Sequence, residues 1–335
     1  MIHETTAHAV TATVIPGLHQ IALPTPYRIG AVNVFLAEGD PLTLIDCGVR
    51  GRQSLTALEG GLAALGYRLA DIKRLIITHH HADHLGLAPQ IAAEGAAVWA
   101  HPLCVPWLER PDESLWREQA YIERLFRAHG VPAEALAIMG SFWQAIRGQK
   151  DAAPLAGTLD EGASVHIAGR RWQTYHTPGH AGDLLCFYDP EGAVLLSSDH
   201  LLGEVSSNPV LEAPATADAP RPRRLPDYLR ELRRIAALPL QIAYAGHGEP
   251  ITDIAGLVAR RLAFHDQRAA ILYGFLAEAD GQTLYALSRR LFPKITDAQM
   301  FLTLSETLGH LDLLEDAGRI QAVTDDGAIT YRAIL

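Results

Sequence analysis

The short run Lys73 to Ile77 is followed at once by Thr78-His79-His80-His81-Ala82-Asp83-His84-Leu85-Gly86. Brief apolar runs of this kind read as buried strands, so this one delivers a crowd of histidines and a carboxylate to a single loop. Imidazole nitrogen and carboxylate oxygen are donors that a borderline cation such as zinc accepts at about 2.0–2.2 Å. The spacing has a geometric sense. In an HxHxDH pattern the first two histidines can reach one ion, the aspartate and last histidine a neighbouring one, and the middle residue, His80, points elsewhere. A solvated, tag-like turn is the competing explanation, since histidine sits harmlessly on a surface loop. The internal position, the preceding strand and three matching segments downstream argue against it.

Those segments each end a strand-like run. In Tyr175-His176-Thr177-Pro178-Gly179-His180 the Pro-Gly turn exposes His180 at the strand end. Leu195-Leu196-Ser197-Ser198-Asp199-His200 offers Asp199, able to bridge two ions through one carboxylate. In Ala243-Tyr244-Ala245-Gly246-His247-Gly248 the glycines permit close backbone approach around His247. Singly each is weak. Together His79, His81, Asp83, His84, His180, Asp199 and His247 supply the donors a two-ion site wants. Two adjacent cations acidify a shared water and polarise a carbonyl or phosphoryl oxygen. Asp83 is the candidate catalytic residue, placed to ligate and to accept a proton from that water. We expect two divalent ions, zinc first, with manganese or iron as alternatives.

The rest of the chain frames this site. Ile15 to Leu23, Val32 to Glu38 and Leu42 to Ile45 read as strands, and Leu55, Leu58, Leu62 and Leu65 mark a helix from Ser54. Ala96 to Ala100 repeats the buried-strand pattern. Such alternation indicates an α/β layered architecture. From Pro106 to about Lys150 strand signals cease, and Trp107, Trp116, Tyr121, Ile122, Leu125 and Phe126 recur at helical intervals, which predicts a helical insertion. Strands return at Ser164 to Ile167, Arg171 to His176, Leu184 to Tyr188 and Ala193 to Ser197. A loop, Pro214 to Pro226, leads to a helix around Tyr228 to Leu238 and a last strand, Ile242 to Ala245. Beyond Ile254 come a long helix to Leu276, helices at Thr283 to Phe292 and Asp297 to Ala317, and a hairpin around Asp325-Asp326-Gly327. That set is winged-helix-like. We place a catalytic domain at residues 1–258, with the insertion at about 106–150, and a linker helix with the small winged-helix-like domain at 259–335.

The sequence resembles the metallo-β-lactamase superfamily over roughly residues 12–255. The resemblance is carried by Asp46 in Leu44-Ile45-Asp46-Cys47-Gly48, the HxHxDH run, Thr177-Pro178-Gly179-His180, Asp199, and His247 in Gly246-His247-Gly248. It implies an αββα sandwich with the metals at one edge between two sheets. One ion would take His79, His81 and His180, the other Asp83, His84 and His247, and Asp199 would bridge them. Asp46 would orient the ligand loops by hydrogen bonds rather than bind metal. The C-terminal module, with Asp199-His200-Leu201-Leu202 and Asn208-Pro209, is similar to a glyoxalase-II-like branch bearing a winged-helix domain. One departure is Ser198, where a glycine commonly precedes the bridging aspartate. Oxygen-reducing diiron members carry glutamate at position 81, so His81 implies hydrolysis: attack on an ester, thioester or lactone by hydroxide generated at the metals. The alternatives are an endoribonuclease or phosphodiesterase acting on single-stranded RNA and, as a minor one, an iron-dependent persulfide dioxygenase.

Composition narrows the partners. At 335 residues and 48% hydrophobic content the chain can bury a full core. Its net charge of −10 opposes a nucleic-acid partner, as does the acidic balance of the C-terminal module. Cys47, Cys104 and Cys186 are odd in number and far apart, as befits small buried hydrophobes rather than a disulfide framework. The amino terminus lacks a signal-peptide pattern, and no apolar run approaches a membrane span. We expect a cytoplasmic protein acting on a small molecule, free of membranes, with a homodimer as the assembly to test. Two features leave alternatives open. Trp107, Trp116, Phe142 and Trp143 either form an apolar lid over the metals or pack the insertion onto the sandwich. Arg221, Arg223, Arg224, Arg230, Arg233 and Arg234 either hold an anionic substrate tail or line a solvated face.

Overall fold

The computed structural model describes residues 11–147, 151–216, 218–294, 296 and 299–334. The first ten residues, Lys150 and Asp297 lie outside the described residues, as does the side chain of Phe142. Two sheets form the centre. The first joins β1 (Thr11–Ile15), β2 (Leu18–Leu23), β3 (Val32–Ala37), β4 (Thr43–Ile45), β5 (Arg74–Ile77), β6 (Ala97–Ala100) and β7 (Leu155–Thr158) in sequence order. It is antiparallel through β4 and parallel from β4 to β7. Helices α1 (Arg52–Ala64), α2 (Ala82–Leu85) and α3 (Ala88–Ala93) make the crossovers from β4 to β5 and from β5 to β6. The second sheet has the order β12-β11-β10-β9-β8, with β8 (Ser164–Ile167), β9 (Arg170–His176), β10 (Leu185–Asp189), β11 (Val194–Ser198) and β12 (Ile242–Ala245).

Strand β3 shows why the sheets stack. All six of its residues are buried, because it is covered on both faces. Val32, Val34 and Leu36 pack outward with Leu58, Leu62 and Ile91, while Phe35 and Ala37 face Trp172, Leu185, Phe187 and Leu196 across the sandwich. Alternate residues of a strand point to opposite faces, so one six-residue strand feeds two cores. On the far side Cys186, Leu195 and Ala243 pack against Leu225, Tyr228, Leu232 and Ile235 of α7 (Arg224–Ala236). The layers are therefore helix, sheet, sheet, helix.

The insertion is helical as the spacing predicts: α4 (Val105–Glu109), α5 (Pro111–Ala128) and α6 (Ala133–Ile146). Its aromatics pack. Trp107 stacks on His80 at 4.3 Å, and Trp143 meets Phe301 edge-on at 5.5 Å. Trp116 is 59% exposed beneath the Arg147 guanidinium. The main partner of the insertion is the C-terminal region: α8 (Ile254–Glu278), α9 (Leu284–Leu291), α10 (Met300–Asp316) and the hairpin β13 (Ile320–Asp325) and β14 (Ala328–Ala333). Ile122, Phe126, Leu136 and Trp143 share one core with Leu272, Leu276, Leu304, Leu308 and Leu314. The basic cluster straps this region down. Arg221 pairs with Asp312, Arg223 with Asp312, Glu315 and Asp316, and Arg224 with Glu212 and Asp227. Arg221, Arg223 and Arg224 are thus no open anion site, and the acids of α10 are the counterpart of the first two, whereas Arg230 and Arg233 lie exposed on α7 as a solvated face would have them.

Candidate metal centre

All the ligand candidates sit where strands of the two sheets end. Strand β5 leads into His79, His80 and His81, and α2 carries Asp83 and His84 one turn on. The turn after β9 brings His180, β11 brings Asp199 and β12 brings His247. Residues far apart in sequence meet here. His81 Nδ1 lies 3.1 Å from His79 Nε2 and 2.9 Å from His180 Nε2. His247 Nε2 lies 3.3 Å from Asp83 Oδ2, and His84 Nε2 lies 4.0 Å from Asp83 Oδ1. Asp199 Oδ2 stands between the two groups, 3.5 Å from His84 Nε2, 3.5 Å from His180 Nε2 and 3.6 Å from His247 Nε2.

The outer nitrogen of each ring reveals what the inner one offers. His180 Nδ1 donates to the Asn208 carbonyl at 3.0 Å and His247 Nδ1 to the Ala31 carbonyl at 2.8 Å. His84 Nδ1 donates to Asp46 Oδ2 at 2.8 Å. His79 Nδ1 lies 3.1 Å from Thr78 Oγ1, a hydroxyl that itself donates to Asp46. A carbonyl or carboxylate accepts only, so each of these rings carries a proton on Nδ1 and turns Nε2 inward, and the carboxylates there hold His84 well above and His247 above the usual histidine range against burial. Three ring nitrogens of His79, His81 and His180 thus meet with at most one shared proton. The buried atoms His84 Nε2 and Asp199 Oδ1 make no hydrogen bond. Converging ring nitrogens and carboxylates are costly to bury without a cation. The donor set fits metal: His79, His81 and His180 form one group within 4.8 Å, Asp83, His84 and His247 another, and His79, His84 and Asp199 link them.

A sequence model of the Metallo-beta-lactamase superfamily matches residues 27–247, the span that contains every one of these donors. The chain belongs to the metallo-beta-lactamase superfamily. It is similar to the probable metallo-hydrolase YqjP of Bacillus subtilis (strain 168), 33% identical over 94% of this chain and 97% of that protein. A metallo-beta-lactamase family protein of Thermus thermophilus superposes with a TM-score of 0.80 and 32% identity, over 96% of this chain and all of that one. More remote is an atrochrysone carboxyl ACP thioesterase of Aspergillus fumigatus, 23% identical over 71% of this chain and 58% of that protein.

As a metallo-hydrolase of this superfamily, the chain holds its donor set with groups that sequence reading finds only in part. Asp46, expected to orient the loops, accepts from the Thr78 amide, the Thr78 hydroxyl and His84 Nδ1, each at 2.8 Å. Its own backbone is left-handed, at φ 59°. Ser198 is left-handed too, at φ 46°, which accounts for glycine being common there. Its hydroxyl lies 2.8 Å from Thr78 Oγ1 and 3.4 Å from His79 Nδ1. Gly246 is needed for space, since a Cβ there would sit 2.2 Å from Asp199 Oδ1. The carbonyls of Ala31 and Asn208 escaped notice because a backbone acceptor leaves no mark in sequence. His80 turns away and bonds Asp183 Oδ1 at 2.9 Å. The charges are polarised accordingly. Burial, then the surrounding imidazoles, hold His79 well below the usual histidine range. Burial opposes ionisation of Asp199, yet His84, His247 and His180 hold its carboxyl below the usual range.

Proposed function

We propose that the chain is a dinuclear zinc hydrolase of small carboxylic esters, thioesters or lactones. The observation that carries this reading is the position of Asp199 Oδ2, within 3.5–3.6 Å of His84, His180 and His247, which come from both donor groups. One carboxylate oxygen so placed suits a bridge, with His79, His81 and His180 holding one ion and Asp83, His84 and His247 the other. Two divalent ions held there would supply an acidified water and polarise the scissile carbonyl. Asp83 would accept the proton. It is buried, its carboxyl is held low by His84 and His247 against the burial penalty, and it therefore remains an acceptor at neutral pH. The Tyr27 hydroxyl, pushed up to about 12 by burial and the Asp83 charge, stays protonated near the same carboxylate.

A cavity of about 290 Å³ opens beside His247, lined by Arg28, Ile29, Leu202, Val205, Ile251 and Leu257 among others. It falls at the lower end of small-molecule sites, roughly 300–1,000 Å³. Among the described residues, none of the insertion is in its lining. The thioesterase named among the relatives supports an acyl bond as the target. Cleavage of RNA is disfavoured because Arg221, Arg223 and Arg224 are committed to ion pairs. We also assign the chain to the glyoxalase-II-like branch, divide it at residues 258 and 259 with a winged-helix-like C-terminal domain, and place it in the cytoplasm. No described helix is long and apolar enough to cross a membrane.

A panel of thioester, lactone, aryl-ester and phosphodiester substrates against zinc- or manganese-loaded enzyme tests the reading. The expected result is turnover of an acyl substrate, abolished by EDTA and in Asp83→Ala. Iron-dependent oxygen uptake, or turnover of the phosphodiester alone, would overturn it.

A further inference from the structure

Behind the metal centre lies a segment, Ser206-Ser207-Asn208-Pro209, that touches two ligand candidates on one side and the C-terminal helices on the other. Toward the metals, the Asn208 carbonyl accepts from His180 Nδ1 at 3.0 Å, and the Val210 amide donates to the His180 carbonyl at 3.3 Å. The Ser207 hydroxyl donates to the Asp199 carbonyl. Away from the metals, Asn208 Nδ2 donates to the Leu302 carbonyl at 3.2 Å and the Leu211 amide to Ser305 Oγ at 3.3 Å, both on α10. Ser206 Oγ lies 3.1 Å from His265 Nε2 on α8.

The Ser206 contact continues inward as a directed chain. His310 Nδ1 donates to the Glu306 carbonyl at 2.7 Å, so His310 Nε2 carries a lone pair. That lone pair accepts from His265 Nδ1 at 3.0 Å, which leaves His265 Nε2 to accept from the Ser206 hydroxyl. The chain requires both rings neutral, and burial, with Arg268 and Arg261 close by, holds His265 at about 3 and His310 at about 4. Packing alone does not fix the segment, because a cavity of about 150 Å³ lies between it and Phe264, His265, Arg268 and Glu306. A loop backed by a void keeps its place through its hydrogen bonds.

We propose that helices α8 and α10 are a working part of the metal centre, with Ser206, Asn208, His265 and His310 as positioning residues for His180 and Asp199. On this account the C-terminal region is not a detachable appendage. It sets the tautomer and direction of one ligand and the backbone of the bridge, as outer partners of metal ligands do elsewhere. His247, anchored on Ala31 instead, is independent of it.

The proposal rests on the reading of the metal centre given above, and zinc titration of the EDTA-treated full-length chain separates the two. Calorimetry of the wild type is expected to show two binding steps. Ser206→Ala should weaken the step that fills the His180 site by about tenfold, the low end for loss of support around a metal ligand, and the step that shares only Asp199 by less, with the melting midpoint of the metal-free protein unchanged. Ser206→Thr, which keeps the hydroxyl, should restore wild-type binding. Arg290→Ala, in the same region but off the chain of bonds, should alter neither step. Unchanged zinc steps in both Ser206→Ala and His265→Gln would overturn the proposal. So would an equal loss at both steps with a lowered midpoint, which marks general destabilisation. If the folded wild type takes up no zinc or manganese at all, the metal-centre reading fails and the proposal with it.

Discussion

Two groups of buried histidines lie in this molecule, and their chemistry is opposite. At the metal centre His79, His84, His180 and His247 each spend Nδ1–H on an oxygen behind them and turn Nε2 toward a common point. At the interface of α8 and α10, His265 and His310 spend both nitrogens, one as donor and one as acceptor, in a single file ending on Ser206. Burial is alike in the two groups. What marks the ligand site is inner nitrogens that converge on one another and on two carboxylates, and what marks the interface is that each ring nitrogen has a partner of its own.

The sharpest way to break the contrast is to remove the bridge. Asp199→Ala should leave less than the wild-type metal content by atomic absorption, and hydrolase turnover should fall on the order of 10²–10³-fold or more, as expected when electrostatic stabilisation of the transition state is removed. Normal metal content in that variant would show that the convergence on Asp199 Oδ2 is incidental. Next in size is Gly246→Ala, whose methyl group would press on Asp199 Oδ1. Metal affinity is expected to drop about 10–100-fold in a competition assay with a chromogenic chelator, with secondary structure by circular dichroism intact.

The neutral pair gives a smaller, pH-dependent effect. His265 and His310 titrate at about 3 and 4 in the folded chain, against 6.5 for an ordinary histidine. The unfolded chain therefore binds more protons between these values, and stability falls as pH drops through 6.5. The loss should be about 1 kcal/mol per histidine at pH 5.5. Denaturant melts of metal-free wild type and of a His265→Leu/His310→Leu variant should differ in slope against pH; parallel curves would refute the neutral assignment. Ser198→Gly is expected to do least. Relief of the left-handed backbone and loss of the hydroxyl contact oppose one another, and the stability change should stay within about 1 kcal/mol.

The ligand loops were legible in sequence because each follows a short apolar strand and bears a polar residue with no local reason to be there. Asp46, His84, Asp199 and His247 needed no structure to be nominated. The α/β layering was equally legible, since β3, β5 and β11 show the continuous apolar runs of doubly covered strands. Other features were hidden. Strand β7 passed unnoticed because Leu155-Ala156-Gly157-Thr158 has little β-propensity, and its glycine is there for Trp99, whose ring a Cβ at Gly157 would strike at 2.5 Å. The role of Arg221 and Arg223 depended on acids about ninety residues away on α10. Residue types alone could not tell a substrate clamp from a strap.

By itself the sequence determined which side chains could bind metal and which segments would be strand or helix, because donor chemistry and hydrophobic period are local properties. Only the tertiary structure decided the rest. It brought His81 to His180 and set Asp199 between two donor groups, fixed each ring's proton through carbonyls such as those of Ala31 and Asn208, and packed the insertion against the C-terminal helices rather than over the metals. These are matters of distance and direction between residues far apart in the chain. No local pattern encodes them, and burying a converging set of lone pairs in one place is something only the assembled fold can do.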